Sequence, residues 1–595
     1  MYRTHNCNEL RKTDTNKEVT LSGWVHRRRD HGDLIFVDLR DRYGFTQVSF
    51  DPSIAKDAHK NAEKIRPEWV IKITGKVISR PEGQENKNMD TGAIEIEVTE
   101  MEVLNTSQTP PFEIDQDKKI NEEVRYKYRY LDLRKGRMRE NIIFRSKLTK
   151  FVRDFYEEKD FLDIETPVMI KGTPEGSREY LVPSRVYPGE FFVLPQSPQQ
   201  LKQLCMVAGF DKYFQIAKCF RDEDLRGDRQ PEFTQIDVEM SFVSQEDIMK
   251  LHEELFINIC KKFAPEKKLT FSPFKRISWR EAMEKYGSDK PDLRFDLEIQ
   301  DVTDIVKNCE FKVFSSIANS ENGTVRTLKI PGGDEKLTRK DIDALTKLAQ
   351  EHGAKGLAYL QVREEGLSGP VAKFLSKDEL DMIQKRAEAK VGDILFFGAD
   401  KFEKAVIPLG QVRLKCAEIM GLRNEDEFAF AWVTNFPMFE KNDEGIISAS
   451  HHPFTRPFEE DLKEYENGDV TKIRSYAYDL ALNGTELGGG SVRIHEKDLQ
   501  EKMFDLMKIG KADADKKFGH LIKAFEYGAP PHAGIAFGFD RIVMLLRNEP
   551  NIREVIAFPK DSKSKDLMLG APSAMPDEQL DELGLEIKKE EELAN

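Results

Sequence analysis

The firmest constraint on the fold is a pair of runs between Tyr213 and Phe242 that flank a charge-dense connection. In the outgoing run Ile236, Val238, Met240 and Phe242 alternate with Gln235, Asp237, Glu239 and Ser241. A period of two sends the first set into a core and puts the second on a polar face of a strand. The incoming run, Tyr213 to Phe220, is apolar, and the connection from Arg221 to Pro231 is punctuated by Gly227 and Pro231. Together they read as a β-hairpin with a long loop. Arg221 offers a planar, permanently charged fork for phosphate or carboxylate, and arginines held among carboxylates suit a polyanion such as a nucleoside triphosphate. Taken alone, the loop reads more readily as a solvated surface turn, and only the later parts of the chain reverse that.

A chain of 595 residues is too long for one core, and its 39% hydrophobic and 33% charged residues describe an ordinary globular protein. No apolar run approaches a membrane span, and Met1 to Lys17 lacks a signal-peptide core. The six cysteines are scattered without a C-x-x-C pair, which argues against zinc and disulfides and for a cytoplasmic setting. A net charge of −14 leaves nucleic-acid contact to local patches.

Residues 1–107 hold five strand-like runs: Val19–Val25, Leu34–Leu39, Thr46–Phe50, Val70–Val77 and Ile94–Leu104. Five short strands suit an OB-type barrel. His26 to Arg29, read as lying between the first two strands, with Phe36 and Phe45 nearby, suits single-stranded nucleic acid, where cations follow the backbone and rings stack on bases. A linker at 108–140 follows. A helix is expected over Asn141–Lys159, a strand over Phe161–Pro167, a flexible loop over Thr173–Ser177 that reads as a lid or merely a turn, and a helix starting near Ser197 with Lys202 one turn in. Residues 287–420 have a different, α+β character and read as an insertion between two catalytic segments, 141–286 and 421–561, with an acidic extension over 562–595. In the second segment Asp479 lies opposite Tyr476, Tyr478 and Leu480. After the Asn483-Gly484 turn, Glu486 and Arg493 flank three glycines that let a ligand approach backbone. Pro530 to Phe539 is a small-residue strand running into a helix from Arg541, where a guanidinium and helix-start N–H groups can meet one phosphate.

Three of these pieces, Phe161–Pro167, Phe220–Asp237 and Gly534–Arg541, resemble motifs one, two and three of class II aminoacyl-tRNA synthetases. With the N-terminal barrel and the insertion, residues 1 to about 560 resemble bacterial-type aspartyl-tRNA synthetases. The resemblance implies a multidomain α/β protein: an N-terminal OB-type β-barrel, a class II antiparallel-sheet catalytic domain and an inserted α+β domain. It implies ATP and Mg²⁺ as cofactors, L-aspartate and tRNA-Asp as substrates, and a homodimer paired near Pro167.

By the same resemblance Arg221, Asp222, Glu223, Gln230, Phe233, Gly538, Phe539, Asp540 and Arg541 hold ATP, with Phe233 on the adenine and Arg541 on the distal phosphate. Arg221, Arg541 and Glu486 are the catalytic set, and Asp479 and Glu486 the metal ligands. Glu175, Ser197, Gln199, Lys202, Arg221, Asp237, His452 (chosen over His451) and Arg493 surround the amino acid. Lys202 and Arg493 take its side-chain carboxylate, and two cations there favour aspartate over asparagine or lysine. Arg29, Phe36, Gln47, Arg80 and Glu95 read the anticodon. His31 and Gly83 mark the relaxed form that charges tRNA-Asn as well. Rival readings are an asparaginyl- or lysyl-tRNA synthetase, a non-catalytic tRNA-binding or amidotransferase-partner protein, or an ATP-dependent amide-forming enzyme.

Overall fold

The computed structural model describes residues 1–116, 120–172, 176–225, 227–442 and 444–588. It divides into two compact units, Met1–Phe144 with Arg553–Ser573, and Arg145–Ile552 with the residues from Ala574 onward.

In the first unit β1 (Glu18–His31), β2 (Leu34–Arg40), β3 (Phe45–Phe50), β4 (Val70–Ser79) and β5 (Ile94–Asn105) close into a barrel in the order β1-β2-β3-β5-β4. Alternate residues of β1, Val19, Leu21 and Val25, fill its core with Val37, Leu39 and Val48, which is why the period-two pattern could be read from the sequence. One expectation fails. His26 to Arg29 is not a turn between strands: β1 continues to His31, and Arg27, Arg28 and Arg29 pair with Asp38, Val37 and Phe36 of β2. A register shift between Val25 and Arg27 lets the strand bend there, and beyond it the arginines alternate, with Arg27 and Arg29 on one side of the strand and Arg28 on the other. Glu554, from the C-terminal part of this unit, receives a bidentate Arg125 at 2.9 and 2.8 Å.

The second unit is built on an eight-stranded sheet. Its strands are β6 (Leu162–Asp163), β7 (Lys212–Phe220), β8 (Glu232–Ser241), β9 (Lys275–Ser278), β10 (Phe430–Thr434), β11 (Ala477–Leu482), β12 (Thr485–Val492) and β13 (His532–Gly538). The spatial order is β9-β10-β11-β12-β13-β8-β7-β6. The centre is antiparallel as expected, while both edges, β9 on β10 and β6 on β7, are parallel, so the sheet is mixed. The motif-one strand is only two residues long. One face of the sheet, with Ile236, Val238 and Phe537, is buried; aromatic rings of flanking helices lie against Phe214 and Phe537, among them Tyr156 of Gly136–Glu157 and Phe256 of Gln245–Phe263. The strand pattern ends one residue early: Phe242, expected inside, is 71% exposed at φ 58°, past the end of β8.

The inserted region forms its own five-stranded sheet from Ile299–Asp301, Gly323–Ile330, Ile394–Lys401, Ala358–Arg363 and Gly366–Ser368, in that order. Helix Phe402–Ile419 packs on it. Its buried Arg413 donates to the carbonyls of Leu297, Asp292 and Phe295 at 2.6, 2.9 and 3.0 Å. Neither the strand Gly323–Ile330, second in the sheet, nor this helix was expected from the sequence.

Candidate active site

The polar face of β8 is the floor of a cleft of about 1470 Å³. Period two puts Asp237 and Glu239 on one side of the strand, and both are fully buried. Two buried cations reach them from opposite directions. Lys202 comes from helix α1 (Gln199–Val207), with Nζ at 2.9 Å from Asp237 Oδ1 and 3.4 Å from Glu239 Oε2. Arg493, just after β12, forms a fork on Glu239 at 2.9 and 3.1 Å and donates to His452 Nε2 at 2.6 Å. Against the cost of burial, Arg493 and Lys202 hold Glu239 below the usual carboxylate range. Asp237 behaves oppositely. Burial outweighs Lys202 and lifts its pKa from 3.8 to about 6. Lys202, at 2.9 Å from Oδ1, is the cation that engages it, and Oδ2 is buried without a partner. A buried carboxylate with an oxygen left over can accept from a further cationic group.

The anion-binding side is made by the motif-two loop and the start of helix α2 (Phe539–Leu546). The backbone N–H of Arg221 donates to Pro231 O at 2.9 Å, closing the loop. The guanidinium lies 5.2 Å from the centre of the Phe233 ring, and its Nε is buried without a partner. Arg541 donates to the Glu486 carbonyl and to Asp228 Oδ2 at 3.0 Å. Arg229 pairs with Glu223 at 2.7 Å, and Ser177 Oγ also bonds Glu223. Arg541 and Arg229 are held by carboxylates and Arg221 by the Phe233 ring, and the guanidinium groups keep donors to spare, as polyphosphate recognition requires.

Asp479 and Glu486 line the same cleft. Burial, then the neighbouring Asp479, raises Glu486 above the usual carboxylate range. His451 Nε2 lies 3.3 Å from Asp479; burial opposes its protonation, yet Asp479 raises its pKa. His452 is pushed well below the ordinary imidazole value by burial and by Arg493. Two oxygen-donor carboxylates that repel one another fit a hard divalent cation. Among the described residues no group of three or more His, Cys, Asp and Glu is arranged to hold a metal by itself, so further ligands would have to come from elsewhere.

The cleft gathers most of the residues expected from the sequence, including Ser197, Gln199, Gln230 and Gly538, and both His451 and His452. Two expected ATP ligands, Asp222 and Phe539, are not brought to it, and a third, Asp540, is there with its carboxylate already committed. Asp222 stands outside, bridged through its backbone to Arg178. Phe539 is buried beneath Arg145, whose guanidinium is 4.8 Å from its ring. Asp540, although at the cleft, spends its carboxylate on Arg145 at 2.5 Å and on the Thr234 N–H at 2.8 Å. These last two contacts anchor the helix. Glu175 lies outside the described residues. The glycines of β12 also divide: a Cβ on Gly488 or Gly490 would meet the carbonyls of Ala536 and Gly534 at 2.2 and 2.1 Å, so these two let β13 approach. Only at Gly489 would the clash be with a cleft side chain, Asp479. Sequence reasoning missed Glu239 as the partner of both cations, although period two already put it beside Asp237. It also missed Trp279, Arg280, Lys401 and Lys404 at the rim, for which no sequence signal pointed to the cleft.

On the barrel, Arg29, Gln47 and Glu95 form a chain, with Arg29 on Gln47 Oε1 at 3.1 Å and Gln47 on Glu95 Oε2 at 2.7 Å. Arg80 approaches Glu95 at 4.0 Å, and Phe36 pairs with Arg29 across β1 and β2. His31 is exposed at the end of β1, and Gly83, at φ 83°, is exposed after β4.

Residues 121–562 match the family described as tRNA synthetases class II (D, K and N). The chain belongs to that family. Residues 19–104 match the OB-fold nucleic acid binding domain, so the barrel is the class II synthetase's nucleic-acid module. The Bacillus subtilis aspartate–tRNA(Asp/Asn) ligase is 52% identical over 99% of both chains, and its Rubrobacter xylanophilus counterpart is 51% identical over 98% and 97%. An aspartate–tRNA ligase of Lysinibacillus sphaericus is 51% identical, covering 98% of this chain and 99% of that one. The Pyrococcus horikoshii asparaginyl-tRNA synthetase structure with asparaginyl-adenylate shares the fold at TM-score 0.59 and 19% identity, over 94% of this synthetase and 98% of that chain.

Proposed function

We propose that this synthetase ligates L-aspartate to tRNA-Asp, and also to tRNA-Asn, through an aspartyl-adenylate. The observation that carries the reading is that one cleft holds both a buried cation pair, Lys202 and Arg493, and the phosphate-directed set Arg221, Arg541, Glu486 and Asp479. The substrate's own α-carboxylate is the nucleophile on the α-phosphorus of ATP, so the protein supplies positioning and charge rather than a nucleophilic side chain. Lys202 and Arg493 bind the aspartate side chain, Asp237 takes the ammonium, and Arg221 holds the α-carboxylate against the phosphate. Arg541 steadies the departing pyrophosphate end, and Phe233 packs on the adenine. Asp479 and Glu486 would hold Mg²⁺, which when bound supplies charge neutralisation at the phosphates. The tRNA 3′ end then takes the aspartyl group, while the barrel face of Arg29, Phe36 and Gln47 binds the anticodon.

A homodimer is part of this reading. The short hairpin Leu181–Pro183 with Phe191–Val193 and the segment before it leave Val168, Met169, Leu181, Val186, Tyr187 and Phe191 from 41 to 67% exposed near the motif-one edge. An apolar cluster of that kind suits a self-complementary interface. No helix among the described residues is long and apolar enough to cross a membrane, in keeping with a cytoplasmic enzyme.

The test is pyrophosphate exchange with each amino acid, followed by charging of tRNA-Asp and tRNA-Asn transcripts with labelled aspartate. Aspartate-dependent exchange with charging of both transcripts is expected. Charging of tRNA-Asp alone would overturn the relaxed specificity, and exchange with asparagine or lysine instead would overturn the substrate assignment.

A further inference from the structure

Behind the cleft runs a short chain of buried side chains whose hydrogen-bond polarity is fixed by its far end. His532, the first residue of β13, is fully buried, and its Nδ1 lies 2.7 Å from the carbonyl of Pro530. A carbonyl can only accept, so Nδ1 carries the proton. Burial pushes the imidazole toward its neutral form, which leaves Nε2 a bare acceptor. Gln203 Nε2 is 3.0 Å from that atom. Gln203, also fully buried, must therefore turn its NH2 toward the histidine and its Oε1 the other way. That oxygen accepts from Gln199 Nε2 at 3.0 Å, four residues back on the same face of α1. Gln199, which lines the cleft, has thus turned its NH2 end toward Gln203, spending one of its two N–H groups there, and points Oε1 the other way.

We propose that His532 and Gln203 are positioning residues that orient the Gln199 amide so that it offers the substrate's ammonium an oxygen and not a competing NH2. An amide is nearly symmetric in shape, so packing alone does not choose between its two orientations; a chain ending on a backbone carbonyl does. A reversed Gln199 would set N–H donors against an ammonium, removing one acceptor from a group that needs three. The proposal rests on the assignment of aspartate as substrate, and the two fail separately: the assignment fails if the parent enzyme does not activate aspartate, the relay only through its variants.

The experiment compares His532→Gln, His532→Asn and His532→Leu in the full-length enzyme by pyrophosphate exchange. Succinate serves as a competitive inhibitor that keeps both carboxylates and lacks the ammonium. His532→Gln places an amide oxygen where Nε2 was and preserves the acceptor. His532→Asn is too short to reach Gln203. The expected result is a KM for aspartate raised about tenfold or more in the Asn and Leu variants, the scale of one hydrogen bond to a charged group, and restored to within about threefold in the Gln variant. The KM for ATP and the inhibition constant of succinate stay within about twofold throughout. Parallel weakening of aspartate and succinate would reduce the chain to a structural role, and equal behaviour of the Asn and Gln variants would overturn the polarity argument. If the Leu variant does not fold, the Asn–Gln comparison decides alone.

Discussion

Asp237→Asn should make the empty synthetase more stable while damaging its use of aspartate. Asp237 is fully buried, Lys202 is the cation at its side, and even so its pKa stands at about 6 against an ordinary 3.8. At about 1.36 kcal/mol per pH unit, keeping it ionised costs the folded state about 3 kcal/mol. Part of that returns in the variant, because Lys202 loses its 2.9 Å neighbour and keeps Glu239 at 3.4 Å and the Val238 carbonyl at 3.5 Å. A net gain of about 1–3 kcal/mol follows, or a few degrees in Tm for a unit of this size. The pH dependence has a definite sign. A carboxyl whose folded pKa is raised carries no penalty below its unfolded pKa, and the full penalty appears once pH has passed the folded value. The advantage of Asn should therefore be complete above pH 6 and fade between pH 6 and 4.

The same change removes the carboxylate expected to meet the ammonium, and the KM for aspartate should rise about 10- to 100-fold, the loss of one charge-assisted hydrogen bond. The measurement is thermal unfolding of both proteins without ligands across pH 4–8, with pyrophosphate exchange at pH 7.5. A variant that melts below the parent at pH 8, or whose gain is the same at pH 4.5 as at pH 8, would refute the reasoning about the buried charge.

Glu486→Gln should lower the exchange rate at least about 100-fold, as loss of a charged group placed against developing charge does. Because the Glu486 pKa is raised, protons compete with the cation, and in the parent the Mg²⁺ concentration for half-maximal exchange should be higher at pH 6 than at pH 8; identical midpoints would remove Glu486 from the metal site. Arg221→Lys keeps the charge but not the planar fork and should cost about 10- to 1000-fold in kcat with little change in Tm. Phe36→Ala should raise the KM for tRNA by about 1–3 kcal/mol in binding terms and leave amino-acid activation untouched, which separate charging and exchange assays would check.

The sheet was legible where side chains alternate between two environments. In β8 the sequence alternates because one face meets helices and the other meets the cleft, and both are buried. That double burial is invisible to a reading that equates polar with solvated; Asp237 and Glu239 are as inaccessible as Ile236 and Val238. The basic stretch at His26–Arg29 misled for a related reason. Charge density suggested a turn, whereas a strand with one face outside a barrel can carry arginines along it without breaking its pairing. The long-range partners, His532 with Gln203 and Asp540 with Arg145, are hundreds of residues apart, and nothing local in the chain announces them. Motif three shows the limit most clearly. Its Phe539 and Asp540 turn inward to fix the helix, and Arg541 alone of the three keeps donors for a ligand.

The structure also changes the ground on which aspartate is preferred to asparagine. Two cations at Lys202 and Arg493 suggested that a neutral side chain would leave positive charge uncompensated. Both are already matched by Asp237 and Glu239, so these four buried groups sum to zero before any ligand arrives. What remains is hydrogen-bond polarity. Lys202 and Arg493 present only donors, and a carboxylate can accept from both. Asparagine can turn its carbonyl to one of them, but its NH2 then faces the other. An unmet buried donor costs about 1–3 kcal/mol, roughly 10- to 100-fold in discrimination, without any surplus of net charge. The buried carboxylates thus do not weaken selection for the acid. On the proposed assignment of Lys202 and Arg493 to the substrate side chain, they hold the two donors fixed, so that asparagine is not accommodated by swinging one of them away.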